Sequence, residues 1–390
     1  MQKIMMRRTF FLIFLGVAGC NDIEPISKPV DGDQMLRKVI VGIDREHPGR
    51  GLADYPSDEP ADVPKSYALI LLGAIEQARA ERLTEVNAMG AKAGNWLLEN
   101  ADANNNGVIG WGVPIAWDAY GDGSVNPENT EYSISTAIAV DALLGWADYV
   151  DERKKAEILS LVEKALEPYL PSSMRTPAGM LPYSLLANDR KYDTFNSAVY
   201  LAGQMQRVAV ITPQIELKAA LMSAADSTMS ALLRSKKIAE GSGSWYWNYS
   251  IQEDHPNDLP HAGYIVEGVL TYIDNKGRLA SAFDRQKVFQ HLMDFFGKDG
   301  KVRGWPAFRP EITTGARLYD LSIATQLMCR FNGRNSGYYF LGEVPRYEAP
   351  EGGYLKYPHG TEPNRRVAEY ESYLYRALKA CGFNEDKHAQ

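Results

Sequence analysis

Asn196, His261, Tyr264, Arg317 and Tyr319 are the residues of this chain whose types and placing could move a proton beside an anionic group. They stand at the starts of apolar-periodic segments: Asp193-Thr194-Phe195-Asn196, Pro260-His261-Ala262-Gly263-Tyr264 and Gly315-Ala316-Arg317-Leu318-Tyr319. Thr130-Glu131-Tyr132 is a further start of the same kind. The reaction these types suit is β-elimination across a uronic acid. The C5 proton of such a sugar is a poor acid until hydrogen bonds or positive charge neutralise the neighbouring carboxylate, a task for Asn, His or Arg. A base then takes the proton and an acid protonates the leaving O4, and a Tyr can do both where nearby positive charge lowers its pKa. Each residue also has a structural reading: a helix-terminal Asn bonding backbone, a capping or buried His, a Tyr of a repeating aromatic series, an Arg paired with a carboxylate.

Trp111, Trp117, Trp245, Trp247 and Trp305 are five of the seven tryptophans, and all five lie in Gly-and-aromatic segments. An indole face suits the C–H face of a pyranose ring, and it also pins a loop onto a helical body. With Glu131, Tyr132 and Arg309, these tryptophans form the expected substrate-binding set.

Such residues need a scaffold that brings separate helix starts to one place. Apolar periodicity predicts helix pairs at 67–80 and 83–98, 131–149 and 152–168, 194–210 and 213–234, and 262–274 and 279–296, then helices at 316–331 and 366–381. The first helix of each set has an aromatic near its start: Tyr67, Tyr132, Phe195, Tyr264, Tyr319 and Tyr370, spaced by 65, 63, 69, 55 and 51 residues. Between the sets lie related loops, each a short strand pair by its pattern, containing Gly110-Trp111, Gly179-Met180, Gly243-Ser244-Trp245 and Gly304-Trp305. The expected fold is all-α: an (α/α)n toroid of about six or seven helical hairpins, with hairpin-like loops at one end forming the rim of a single cleft. An open solenoid is the competing architecture.

With these motifs, the chain resembles the helical-toroid polysaccharide lyases that act on uronate polymers, such as alginate and glucuronan lyases. The passage 110–132, GWGVPIAWDAYGDGSVNPENTEY, carries the resemblance most strongly. The resemblance implies that Asn196 and His261 face the carboxylate, that Tyr319 or Tyr264 is base and acid, and that Arg317 assists. Two other enzyme classes fit the same scaffold: a glycoside hydrolase using carboxylates among Glu131, Asp193, Asp258 and Glu267, and a C5-epimerase. A noncatalytic glycan-binding protein is the non-enzyme alternative.

Composition sets the class: 45% hydrophobic and 23% charged residues describe a folded chain. Lys3, Arg7 and Arg8 precede the apolar run 10–15, and Val17-Ala18-Gly19-Cys20 follows. This pattern is a secretory signal rather than a span, and its end resembles a bacterial lipobox. The expected organisation is a signal peptide at 1–19, a lipidated Cys20 with a tether to residue 36, and one catalytic domain over 37–390. Removing 1–19 moves the formal charge from −7 to −10, which argues against nucleic acid as a partner and leaves an acidic polysaccharide open. The expected location is the bacterial envelope, lipid-anchored. Cys329 and Cys381 remain, as a disulfide or as two buried thiols. Asp102-x-Asn104-x-Asn106-Gly107 and Asp118-x-Tyr120-x-Asp122-Gly123 open like calcium loops, yet Val113 and Asn129 stand where the bidentate Glu belongs. No cofactor or catalytic metal is expected, a structural calcium ion being the one that such loops could take.

Overall fold

The computed structural model describes residues 31–384 except 55–57, 298, 313 and 362. The signal segment and Cys20 lie outside the described residues. The described residues form twelve α-helices, beginning with α1 (Gly32–Gly42), α2 (Pro64–Glu81), α3 (Ala88–Glu99), α4 (Ser133–Trp146), α5 (Glu152–Leu166) and α6 (Phe195–Ile211). They continue with α7 (Ile215–Arg234), α8 (Leu259–Asp274), α9 (Arg285–Gln290), α10 (Leu318–Asn332), α11 (Tyr338–Leu341) and α12 (Ala368–Ala380). No described helix is long and apolar enough to cross a membrane.

Burial separates two kinds of helix. Every residue of α4 is buried, whereas α5 buries only Ile158, Val162, Ala165 and Leu166, as expected of an amphipathic helix lying on a core. The even-numbered helices form the inner ring: α2 packs on α4, α4 on α6, α6 on α8, α8 on α10, α10 on α12, and α12 back on α2. The ring therefore closes, and the solenoid alternative falls. At its tightest seam, a Cβ added to Gly203 of α6 would stand 2.6 Å from the Gly268 carbonyl oxygen of α8, so these two backbones touch.

The sixth outer helix comes from the other end of the chain. Helix α1 packs on α12, buries Met35, Leu36 and Val39, and is capped by Asp31, which accepts from Gln34 N at 2.9 Å. The ring of described helices thus has six hairpins, and its first described helix, α1, overlaps the stretch expected to be tether. The expected helix over 279–296 is also broken: α9 runs on as a 3-10 turn over His291–Phe295. Among the described residues, strands are confined to two-residue antiparallel pairs: β1 (Arg50–Gly51) with β2 (Ala61–Asp62), β3 (Trp117–Asp118) with β4 (Val125–Asn126), and β5 (Lys237–Ile238) with β6 (Trp245–Tyr246).

One rule of backbone bonding fixes the rim. The first N–H groups of a helix have no partner within it, and here a loop from elsewhere in the chain supplies the acceptor. Ser133 N donates to Tyr183 O, Phe195 N to Tyr249 O, Leu259 N to Gly304 O, Leu318 N to Lys356 O and Ala368 N to Leu52 O. Helix α2 starts with Pro64, which has no N–H to satisfy. All six inner helices therefore begin at one end of the ring, tied to the loops there. At the opposite end, Cys329 of α10 and Cys381 after α12 form a disulfide.

Candidate active site

The mouth of the ring holds a cavity of about 140 Å³. Lys65 from α2, Ser135 from α4, Asn196 from α6, His261 and Tyr264 from α8, Tyr319 from α10 and Glu369 from α12 all line it. Asn196, His261, Tyr264, Arg317 and Tyr319, separated by as many as 123 residues, thus share one pocket.

His261 is held by the cap of its own helix. Asp258 precedes α8 and accepts from His261 N at 3.2 Å, and the same oxygen lies 2.5 Å from His261 Nδ1. A carboxylate can only accept, so Nδ1 carries the proton and Nε2 is the ring atom left for the pocket. Arg317 Nη2 binds the other oxygen of Asp258 at 2.9 Å and Asp320 Oδ1 at 2.9 Å. Burial opposes ionisation of Asp258, but His261 and Arg317 outweigh it and hold its carboxyl down to about 2. Asp320 goes the other way: burial, reinforced by the Asp258 charge, lifts it to about 6 despite Arg317.

Behind His261 lie three phenols in one hydrogen-bonded row. Tyr319 donates to the Tyr264 hydroxyl, which is 2.5 Å from that of Tyr373. Burial, with Glu369 nearby, pushes all three well above the ordinary tyrosine value. This corrects the expectation of a lowered phenol: Tyr264 and Tyr319 are pushed toward their protonated forms.

Asn196 is 2% exposed, yet its Nδ2 finds no hydrogen-bond partner. The Tyr249 hydroxyl is close enough to feel the amide without making a bond of good geometry. A buried donor of this kind calls for a ligand or a water.

Sequence reasoning missed Glu369, Lys65 and Asp54, which line the same pocket. Lys65 Nζ lies 2.8 Å from Glu369 Oε1, and Asp54 accepts from Lys356 and Tyr370. Of the carboxylates considered for hydrolysis, Glu131 is buried under Asn104 and Asn106, Asp193 accepts from Ala178 N and Gln252, and Glu267 sits deep in the ring with Arg376. Asp258 alone among them binds pocket side chains, those of His261 and Arg317.

The aromatic residues divide by position. Trp117, Tyr132 and Tyr183 form one wall of the cavity. Trp111 and Trp247 do not reach it: both are buried, and their Nε1 atoms donate to Leu97 O and Leu232 O near the ends of α3 and α7. Trp245 is buried beneath Lys236. Trp305 stands edge-on to His255, and Arg309 pairs with Glu311; neither lines the cavity. In the two calcium-like loops, Asp102 accepts from the backbone of Asn106 and Gly107, and Asp118 from Tyr120, Asp122 and Gly123.

Neither a protein-family model nor the sequence of a curated protein matches the chain. Solved structures do share its fold. An alpha-amylase from Clostridium perfringens superposes with a TM-score of 0.58 at 11% identity, over 90% of this chain and 97% of that one. Cellobiose 2-epimerase from Bacillus thermoamylovorans gives 0.57 at 12% identity, over 89% and 98%. Unsaturated glucuronyl hydrolase from Streptococcus agalactiae gives 0.56 at 9% identity, over 92% and 96%. At such identities the likeness is one of fold, and it places the chain among the (α/α)6 toroids.

Proposed function

We propose that this protein is a carbohydrate-active enzyme that cleaves a uronate-containing polysaccharide, of alginate or glucuronan type, by β-elimination. The observation that carries the reading is the meeting of Asn196, His261, Arg317, Tyr264 and Tyr319 in one cavity at the mouth of the ring. The toroids it resembles include an alpha-amylase, a cellobiose 2-epimerase and an unsaturated glucuronyl hydrolase, which supports a carbohydrate substrate and an enzyme rather than a noncatalytic binder.

In this reading the Asn196 amide and Arg317 hydrogen-bond the uronate carboxylate, making C5–H acidic. His261 Nε2 takes the C5 proton, the C4–C5 double bond forms, and the C4–O4 bond breaks. A phenol of the Tyr319–Tyr264 row gives its proton to O4, a role for which a raised pKa keeps it loaded. Trp117, Tyr132 and Tyr183 supply a wall for the ring's apolar face.

A second reading has one observation in its favour: two carboxylates, Glu369 and Asp54, line the cavity, as hydrolysis needs. A panel of alginate, glucuronan, pectate and glycosaminoglycans, followed by near-ultraviolet absorbance and reducing-end release together, separates the two. Elimination raises both signals; hydrolysis raises only the second. Epimerisation raises neither and carries solvent deuterium into an uncleaved polymer. Tyr319→Phe is expected to cut elimination by about tenfold or more and to leave a hydrolase nearly unaffected.

For location we propose an exported, lipid-anchored chain. The Cys329–Cys381 disulfide suits an oxidising compartment. Asp33, at the start of α1, accepts from Asn384 N after α12, at the end of the ring away from the cavity. Cys20→Ser is expected to move the protein from the membrane to the soluble fraction; unchanged fractionation would remove the anchor.

A further inference from the structure

Both cations in the wall of the cavity are already matched by carboxylates of the protein. Lys65 and Glu369 are 2.8 Å apart, with 12% and 5% of their side chains exposed. Arg317 Nη2 is 2.9 Å from Asp258 Oδ2 and 2.9 Å from Asp320 Oδ1. Two cations, Lys65 and Arg317, thus stand against the three carboxylates that touch them, Glu369, Asp258 and Asp320. Asp54 adds a further carboxylate to the lining, bound to Lys356.

Ring order says how these groups face one another. Helices α2 and α8 are three places apart in the closed ring of six, as are α6 and α12. Lys65 and Glu369, in the first turns of α2 and α12, therefore stand across the mouth from His261 and Asn196, in the first turns of α8 and α6. One side holds hydrogen-bond donors, among them the unpartnered Asn196 Nδ2. The other side holds the carboxylates of Glu369 and Asp54, which when ionised only accept. A sugar bridging the mouth fits when it turns a carboxylate to the donors and hydroxyl hydrogens to the acceptors. A second anion on the same ring would meet Glu369 or Asp54, or would compete with the carboxylate for the same donors. Like charges close together in a partly desolvated site repel far more strongly than in water.

We propose that the pocket admits a ring bearing one negative charge and rejects a uronate that also carries an O-sulfate. Resting on the uronate reading above, this narrows the substrate to unsulfated polyuronates, with Glu369 as the residue that determines specificity.

The test is calorimetric titration of the full chain, in a Tyr319→Phe background to slow turnover. The probes are mannuronate and glucuronate tetrasaccharides and their chemically O-sulfated forms. At least one unsulfated tetrasaccharide is expected to bind, its sulfated form at least about tenfold more weakly, a difference of about 1.4 kcal/mol. Glu369→Gln is expected to bring the two within about threefold. Equal binding of the sulfated form in the presence of Glu369 overturns the inference, as does a gap that Glu369→Gln leaves unchanged, or no binding by either unsulfated probe. Sulfate discrimination without any ultraviolet signal from the polymer panel upholds the inference and removes elimination alone.

Discussion

Replacing His261 with alanine is expected to lower kcat/KM on a cleavable uronate polymer by about 10²–10⁴-fold, the range that a positioned general base supplies, with little change in melting temperature. The stability half of this expectation follows from placement. The imidazole keeps 31% of its surface exposed, and Asp258 loses neither its bond to the backbone N–H of residue 261 nor its pairing with Arg317 when the ring is removed. The activity half follows from charge and direction. Among the pocket groups His261 alone combines a basic nitrogen with a carboxylate that fixes its other nitrogen, whereas the phenols beside it are driven toward their protonated forms. Asp258→Asn should act through the same atom: an amide N–H donated to Nδ1 puts the imidazole proton on Nε2, so kcat falls while KM moves little. Near wild-type turnover by His261→Ala would take the base role from this residue. A fall in Asp258→Asn confined to KM would show that Asp258 acts through Arg317 and binding instead.

How much of this could be read from the chain differs from element to element, for physical reasons. The inner helices were legible because their aromatic starts repeat and because burial on all sides leaves long apolar runs, as in α4. The closing helix α1 was not, since its partner α12 lies more than 300 residues away in sequence and Pro29 just before it reads as linker. Asn196, His261 and Arg317 were legible because each stands at the head of a recurring helix pattern. Glu369 and Lys65 stand at equivalent points, yet a charged residue in a first helical turn ordinarily faces water; ring closure alone turns these two inward. Trp111 and Trp247 misled in the opposite way. Both belong to rim loops, and their indoles are drawn inward by carbonyls near the ends of outer helices, a contact that no local pattern records.

The largest stability effect is expected far from the mouth, at Arg376. This side chain is 1% exposed, and its Nη2 lies 2.7 Å from Glu267 Oε1 and 3.7 Å from Asp141 Oδ2. Glu267 is also bound by Arg330 at 2.6 Å, and Asp141 by Arg207 at 2.7 Å. Five of the six inner helices contribute a charge bound within this buried cluster, and Glu76 of the sixth, α2, is near enough to favour the charged forms of Arg330 and Arg376. Arg376→Ala takes one of two cations from both Glu267 and Asp141 and leaves a void where a fully buried guanidinium stood, so a loss of about 3–5 kcal/mol is expected, read as a lower urea midpoint. Removing both partners should cost less: Arg376→Met with Glu267→Leu replaces two charges by apolar groups of similar volume, an exchange that is often neutral or stabilising, and Arg330, which loses Glu267, keeps 24% of its side chain exposed and can turn to water. An Arg376→Ala midpoint equal to wild type would mean that solvent enters the floor of the ring. The cluster also bears on the mouth, because Tyr200 donates to Asp141 at 3.0 Å and its ring meets that of Tyr264 edge-on at 5.9 Å. If the double variant folds fully but loses activity, the buried charges serve to hold the phenol row in place, and their desolvation is tolerated for position rather than for stability.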